Sequence, residues 1–488
     1  NVMNKSHSEF NERTLAQFVD DSQKRANSYT PSREAQDKEA WQSNVFTGTT
    51  RNKVRAYVSS VAKEPPQIIV KAVDTENNQS VMRADVMKQL LRHSYITSEN
   101  PETEIVFDAW DCSVNGTIVK YDAYLRKQGK VKIVTGYDPS TGEVEFEEKD
   151  EINDGTPVEI FVPITNLFKK SAYIRKIQDQ PALLWVDYMD RQKFECEFRK
   201  FKNATFVKEK THLSSGMIDT FFGKQWMSRV DEDQIEVLRY YNKEKDIYRI
   251  VASGVLLIDA PMLWGKKKKI YPFAEAIFEP FANSRFAWGN SLPNILMPHQ
   301  DTENMMINSM LDKTQRTLVT PMLIGTANKD AFDIEDEFVT GSTKIYVDDV
   351  TQVKPMPIDG VNPSEFNMLK LISQELSLAS VDALQEGFSG SGVTAREIVI
   401  ANEKSNEIKG MFFTMLKDLW LQKVRIRSVN ILMNYNQKSK VGKIVGKEKS
   451  EEFFKQFNVP NTELSTGEKG TLQIRLAKDA NEILAKNK

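Results

Sequence analysis

Apolar positions fall at helical spacing near the start of the chain and again over its last third, and alternate in between. From Asn1 to about Ala40 the residues are polar and charged with few apolar anchors, the pattern of an arm or partly ordered helix buried by a neighbouring chain. Over Trp41 to Lys63, Val45, Val54, Tyr57, Val58 and Val61 keep helical spacing until Pro65-Pro66 ends it, ahead of the β-branched run Ile68-Ile69-Val70. A second helix is predicted over Met82 to Ser94.

From Val106 the pattern predicts strands and turns. Ile118 to Leu125, Lys130 to Thr135 and Val144 to Glu148 largely alternate, with Asp138 to Gly142 as the turn between the last two. Val158 to Pro163 and Leu183 to Met189 are short strands. Gln234 to Tyr241 and Ile247 to Ile258 form a hairpin or meander about the polar turn Asn242 to Asp246. No fixed-period repeat is present.

After Gly289 helices dominate. A helix over Pro293 to Thr314 packs through Leu292, Ile295, Leu296, Met305, Met306 and Met310, with Pro298 set to delay or kink it. Leu318 to Ile324 and Lys344 to Val353 read as strands around the acidic insert Asp330 to Glu337. Asn362-Pro363-Ser364-Glu365 is a helix start: Asn362 caps, Pro363 suits the first helical position and Glu365 reaches back to the cap amide. That helix runs to about Ser380. Gly387, Gly390 and Gly392 punctuate a flexible stretch before Thr394-Ala395-Arg396-Glu397, a second capping box. It opens a long helix to about Asn434 with Ile408, Met411, Phe412, Met415, Leu416 and Leu419 on one broad face.

Composition narrows the function. Lys and Arg number 66 against 68 Asp and Glu, so the chain lacks the basic excess of a protein that coats nucleic acid, and any contact with DNA is local. Cys112 and Cys196 make neither a disulfide framework nor a CxxC pair, which fits a reducing compartment. His7, His93, His212 and His299 are too dispersed for a metal motif. The longest apolar run, Ile250 to Ile258, is about half of a bilayer span, so the chain reads as soluble and without membrane contact. The opening Asn1-Val2-Met3-Asn4 shows no secretory signal, and the missing initiator and a helix-like pattern from Ala477 to Lys488 both suggest trimmed tails.

Few motifs carry chemistry. Gly48 to Lys53 lacks the second glycine and the lysine placement of a phosphate-binding loop. Asp231-Glu232-Asp233 and the cluster Asp333, Glu335, Asp336 and Glu337 offer carboxylates to a divalent cation, or simply keep loops wet. Lys266 to Lys269 is a phosphate patch or a solvated hairpin tip. Met305, Met306 and Met310 are ordinary packing or an adaptable contact between subunits. Ser389-Gly390-Ser391-Gly392 is a flexible linker or a mobile loop on a rigid scaffold.

In the order of its elements the chain resembles the portal proteins of tailed bacteriophages, podovirus-like or crAss-like, which ring one capsid vertex as a DNA channel. The resemblance rests on Trp41-Gln42-Ser43-Asn44-Val45 with Pro65-Pro66, on Phe161 to Phe168 with Ala182 to Met189, and on Tyr271-Pro272-Phe273 leading to Gly289-Asn290-Ser291. Leu318 to Met356 stands where such proteins carry the clip, and Thr394 to Glu397 where a long helix follows the tunnel loop. The resemblance covers most of Trp41 to Asn434. Tyr435 to Lys488 is too short for a long helical barrel, so a large crown is either absent or missing from the sequence.

The resemblance implies a mixed α+β portal fold. It places an N-terminal arm and wing at 1–288, stem helices at 289–315 and 361–379, and a small α/β clip at 316–360. The tunnel loop falls at 380–393, a long wing helix at 394–434, and distal wing or crown at 435–488. It implies a virion protein at the capsid vertex, present in host cytoplasm during assembly, that forms a dodecameric ring around double-stranded DNA. Its partners are large terminase, then tail adaptors, with the major capsid protein or scaffold alongside. No covalent chemistry, catalytic residue, metal or cofactor is implied. Gly387, Phe388, Ser389, Gly390, Ser391 and Gly392 become channel-facing loop residues, and Asp333, Glu335, Asp336 and Glu337 the clip's partner-binding face.

Near-neutral charge suits a conduit, since each phosphate neutralised by Lys or Arg adds affinity that arrests sliding. The clip stretch is locally acidic, with Arg316, Lys329, Lys344 and Lys354 against eight carboxylates. Two rivals remain: another virion ring such as a tail adaptor, disfavoured by the stem, clip, stem order, and a metal-dependent DNA-processing enzyme built on Asp231 and Asp233.

Overall fold

The computed structural model describes residues 14–33, 36–39, 42–62, 68–72, 74–98, 101–125, 128–137, 144–152, 155–198, 201–208, 234–262, 269–281, 286–318, 322–325, 344–347, 354–355, 360–378, 395–435 and 438–456. The fold is mixed α+β with mostly antiparallel sheets. Its contacts divide it into two units, one of Asn1–Asp20, Val58–Ser291 and Met411–Lys488, the other of Asp21–Tyr57 and Leu292–Gly410.

Four helices precede the first strand: α1 Leu15–Ala26, α2 Thr49–Ala62, α3 Asn78–Ser98 and α4 Pro101–Asn115. A reciprocal capping box starts α1, because the Thr14 amide donates to Gln17 Oε1 and the Gln17 amide to Thr14 Oγ1. Leu15, Phe18 and Val19 are buried in the chain's own main core, and Phe18 meets Phe281 edge to face. The expectation that a neighbouring chain buries this arm is therefore corrected for 15–19. The helix predicted from Trp41 begins only at Thr49; residues 43–48 are non-helical. Ile68 to Val70 joins no strand. The onset of strands at Val106 is also corrected: Ile105, Ala109 and Cys112 sit one helical turn apart on a buried face of α4, whose helix stops at Gly116, φ +74°.

The larger unit holds the strands β1 Thr117–Leu125, β2 Gln128–Tyr137, β3 Val144–Ile152, β4 Thr156–Phe161, β5 Leu167–Lys169 and β6 Ala182–Asp190. After the short helix α5, Arg191–Phe198, come β7 Gln234–Asn242, β8 Ile247–Ala252, β9 Val255–Ala260, β10 Phe273–Ile277, β11 Glu279–Pro280 and β12 Gly289–Asn290. β1 lies between β10 and β4, pairing Tyr121 with Phe273 on one side and Ile160 on the other. β5 to β9 form a five-stranded antiparallel sheet, and β2 pairs with β3. The predicted run Ile247 to Ile258 is cut at Ser253-Gly254, both at positive φ, a two-residue turn whose twist matches its strands. Trp185, Tyr121 and Phe273 stack where the two larger sheets share a core, with Leu183, Ile235, Val237 and Trp288 buried around them.

The second unit carries α6 Leu292–Leu318, the strands β13 Met322–Gly325, β14 Lys344–Val347 and β15 Lys354–Pro355, and α7 Pro363–Leu378. α6 is unbroken from Leu292, so Pro298 lies inside it and does not delay it. β13 pairs parallel with β14 and antiparallel with β15, a mixed sheet whose parallel pair needs the long connection that 326–343 supplies. α8, Ala395–Asn434, has 40 residues and is about 60 Å long at 1.5 Å per residue. α9 Lys438–Val445 and α10 Lys447–Gln456 follow. Val441, Val445 and Phe453 join Val86, Leu90, Leu91, Val429, Leu432 and Tyr435 in a second core. No described helix is long and apolar enough to cross a membrane.

Two backbones touch at Gly116 and Gly289: a Cβ on either would overlap the other's carbonyl oxygen. Gly289 is also the residue that leads into α6. Gly289→Ala should lower stability by about 2 kcal/mol or more in thermal melts, because backbone rather than a movable side chain fills the space. Gly254→Ala should cost only about 1 kcal/mol, since its Cβ would meet nothing and only the positive φ resists it.

Candidate functional site

The tunnel-loop residues Gly387, Phe388, Ser389, Gly390, Ser391 and Gly392 and the clip carboxylates Asp333, Glu335, Asp336 and Glu337 lie outside the described residues, as do Asp231, Asp233 and Lys266 to Lys268. Lys269 pairs with Asp246 at 3.2 Å. What the structure describes are the helices that flank the two predicted sites and the contacts that fix them.

α6 is held along one side by a polar seam. Residues 43–47 run alongside it, and the side chains of Gln300, Asn304, Asn308 and Asp312 meet their backbone one after another. The Ser43 amide donates to Asp312 at 2.6 Å, and the Val45 amide to Asn308 Oδ1 at 2.8 Å. Asn308 Nδ2 returns a bond to the Val45 carbonyl at 2.9 Å. The Thr47 amide donates to Asn304 at 2.9 Å, and Gln300 Nε2 to the Thr47 carbonyl at 2.6 Å. The repeat works because four helical residues rise about 6 Å and two extended residues about 6.6 Å, so Asp312, Asn308 and Asn304 meet Ser43, Val45 and Thr47 in turn, and Gln300 shares Thr47 with Asn304. Thr50 closes the seam on Gln300, and Arg25 clamps Asp301 through two bonds of 2.6 and 3.0 Å. Sequence periodicity gave no sign of the strap; the signal present was the i, i+4 run of Gln300, Asn304, Asn308 and Asp312.

α7 begins as the sequence predicts. The Ser364 amide donates to Asn362 Oδ1 at 3.0 Å. Glu365 pairs with Lys313 of α6, and that bond, then the Asn362 backbone amide, holds its carboxyl below the usual range. Beyond Asn304, no side chain of α6 is buried. Met305 is 62% exposed and Leu318 78%, while Phe366, Met368 and Leu371 on α7 are each more than half exposed. Met306 and Met310 are half-buried, so the methionine-rich stretch is only partly the packing core that its spacing predicts.

The C-terminal half of α8 is anchored differently. Phe412, Leu416, Leu419, Ile426 and Val429 are buried, and the same stripe carries Lys423 and Arg427. Lys423 lies 2.9 Å from Asp108 of α4 and 2.5 Å from Glu159 of β4. Burial opposes its charge, but those two carboxylates outweigh burial and raise its pKa. Arg427 donates to Asp122 of β1 at 2.6 Å, and Asn430 takes the other Asp122 oxygen at 2.6 Å. Lys120 bridges Glu104 and Asp108, both at 3.0 Å. Among the described residues no group of His, Cys, Asp or Glu is placed to hold a metal ion.

No protein-family model matches the chain, and no curated protein matches it.

Asn304→Ala should cost about 1–2 kcal/mol by leaving the Thr47 amide without its acceptor. Val45→Thr should be nearly neutral in the same melts, because the bonds of Val45 to α6 are made by its backbone and its side chain is 45% exposed. Lys423→Met should cost about 3–5 kcal/mol, leaving Asp108 and Glu159 buried without their shared cation.

Proposed function

We propose that the chain is a viral portal subunit, one member of a closed ring through which a double-stranded genome is packaged, retained and ejected. The observation that carries this reading is the helix pair α6 and α7. They pack on each other, enclose the small mixed sheet β13 to β15 in sequence, and leave Met305, Leu311, Leu318, Phe366, Met368 and Leu371 exposed. A pair of helices with apolar residues on their outer sides is suited to burial between copies in a ring. The sequence order of helix, small sheet, helix, then the long α8 is that of stem, clip, stem and wing helix.

On this reading the subunit performs no covalent chemistry. The clip docks terminase during packaging and adaptors afterwards, its repeated carboxylates repelling DNA at the mouth and attracting Lys or Arg on the docking protein. The loop at 380–393 meets the DNA, with Phe388 as the one large side chain near its tip, between Gly387 and Gly392. Such a ring sits at one capsid vertex.

Mass measurement of the purified protein should give a single closed oligomer, a dodecamer by the resemblance. The triple change Phe366→Ser, Met368→Ser, Leu371→Ser should shift it to monomers with little loss of fold. A wild-type chain that stays monomeric at all concentrations, or forms only open filaments, removes the proposal. Deleting Gly387 to Gly392 should leave ring mass unchanged and lower DNA content per particle. Neutralising Asp333, Glu335, Asp336 and Glu337 together should weaken terminase or adaptor binding in a salt-dependent way, with the ring intact.

A further inference from the structure

Around the anchored half of α8 the charges do not balance. Facing one another are Glu104, Asp108 and Asp111 from α4, Lys120 and Asp122 from β1, Glu159 from β4, and Lys423 and Arg427 from α8. Every cation is committed. Lys120 binds Glu104 and Asp108, Lys423 binds Asp108 and Glu159, and Arg427 binds Asp122 at 2.6 Å and reaches Glu159 at 3.5 Å. Asp111 is the fifth carboxylate against three cations. Its carboxylate makes no hydrogen bond or ion pair among the described residues, and it is half-buried one helical turn beyond Asp108.

We infer that Asp111 is a built-in proton-binding site that tunes how firmly α4 and β1 hold the cationic stripe of α8. Ionised, it adds negative charge beside Asp108 and Glu104 and draws on Lys120, which those two already share. Protonated, it leaves Lys120 to its bonds with Glu104 and with Asp108, the carboxylate that also holds Lys423. Burial comes first in pushing its pKa to about 6; Lys120 opposes this, and Asp108 and Glu104 reinforce it. The sign follows. The folded value lies above the ordinary 3.8, so the contribution to stability is full below about pH 4 and is lost as pH rises through about 6. All eight charged groups belong to one unit of a single chain.

The test compares melting temperatures of the full chain from pH 4.5 to 8 for wild type, Asp111→Asn, Asp111→Glu and the exposed control Glu76→Gln. Because Asp122 is also raised to about 6, only the difference between variant and wild type isolates Asp111. Asp111→Asn should melt about 4 °C or more above wild type at pH 7.5, with the gap closing toward pH 4.5. Asp111→Glu should keep the wild-type pH dependence, and Glu76→Gln should show no pH-dependent gap. A gap of the same size at every pH, or an Asp111→Asn chain less stable than wild type at pH 7.5, overturns the inference.

Discussion

Lys423 and Arg427 stand one turn apart on a stripe of α8 that otherwise consists of buried apolar side chains, and neither can enter that interior without a carboxylate. The partners cannot come from one place. Asp108 belongs to a helix, Asp122 to the central strand of a three-stranded sheet and Glu159 to that sheet's edge. Burying the two cations therefore requires α4, β1 and β4 to converge on α8 at once. The glycine crossing that brings Gly289 against Gly116 lies where β1 begins, and in the pairing of β1 with β4 Asp122 stands opposite Glu159 and Lys120 opposite Phe161. Removing either cation leaves buried carboxylates short of a partner, so the cluster ties three elements to α8 by charge as well as by packing.

Local signals were legible in the sequence wherever a single element decides them. The strand at 117–125 follows from alternation over Ile118 to Leu125, those at 156–161, 182–190 and 234–242 from the short apolar runs at 158–163, 183–189 and 234–241, the start of α7 from Asn362-Pro363, and the end of α8 at Asn434 from its periodicity. The errors share a cause. α4 carries Asp108 and Trp110 among its apolar residues, so its helical stripe is visible only once Asp108 is known to have buried partners. The delayed start of α2 has the same origin: residues 43–48 are bound by distant side chains of α6, and nothing in their own pattern states this.

The residues singled out for function are a different matter. The glycine-rich loop and the clip acids were found by composition and by order along the chain, and both lie outside the described residues. The flanking helices are where physical reading adds something. The exposed apolar residues of α6 and α7 could not be distinguished from core by periodicity, because a helix that packs within a chain and one that packs between chains carry the same stripe. Exposure separates the two cases.

The strap over α6 has an evolutionary corollary. Gln300, Asn304, Asn308 and Asp312 meet main-chain atoms of residues 43–47, which every amino acid except proline presents alike. Selection then acts unevenly on the two sides of one contact. The helix amides and the Asp312 carboxylate are held to their chemistry and spacing, while the strap is freer to drift at Ser43 and Val45, provided proline is avoided, than at Thr47, whose hydroxyl also bonds Glu303 and Asn304. Divergent relatives would keep the seam with no recognisable similarity at the strap itself, and their common ancestry would be written in the helix alone.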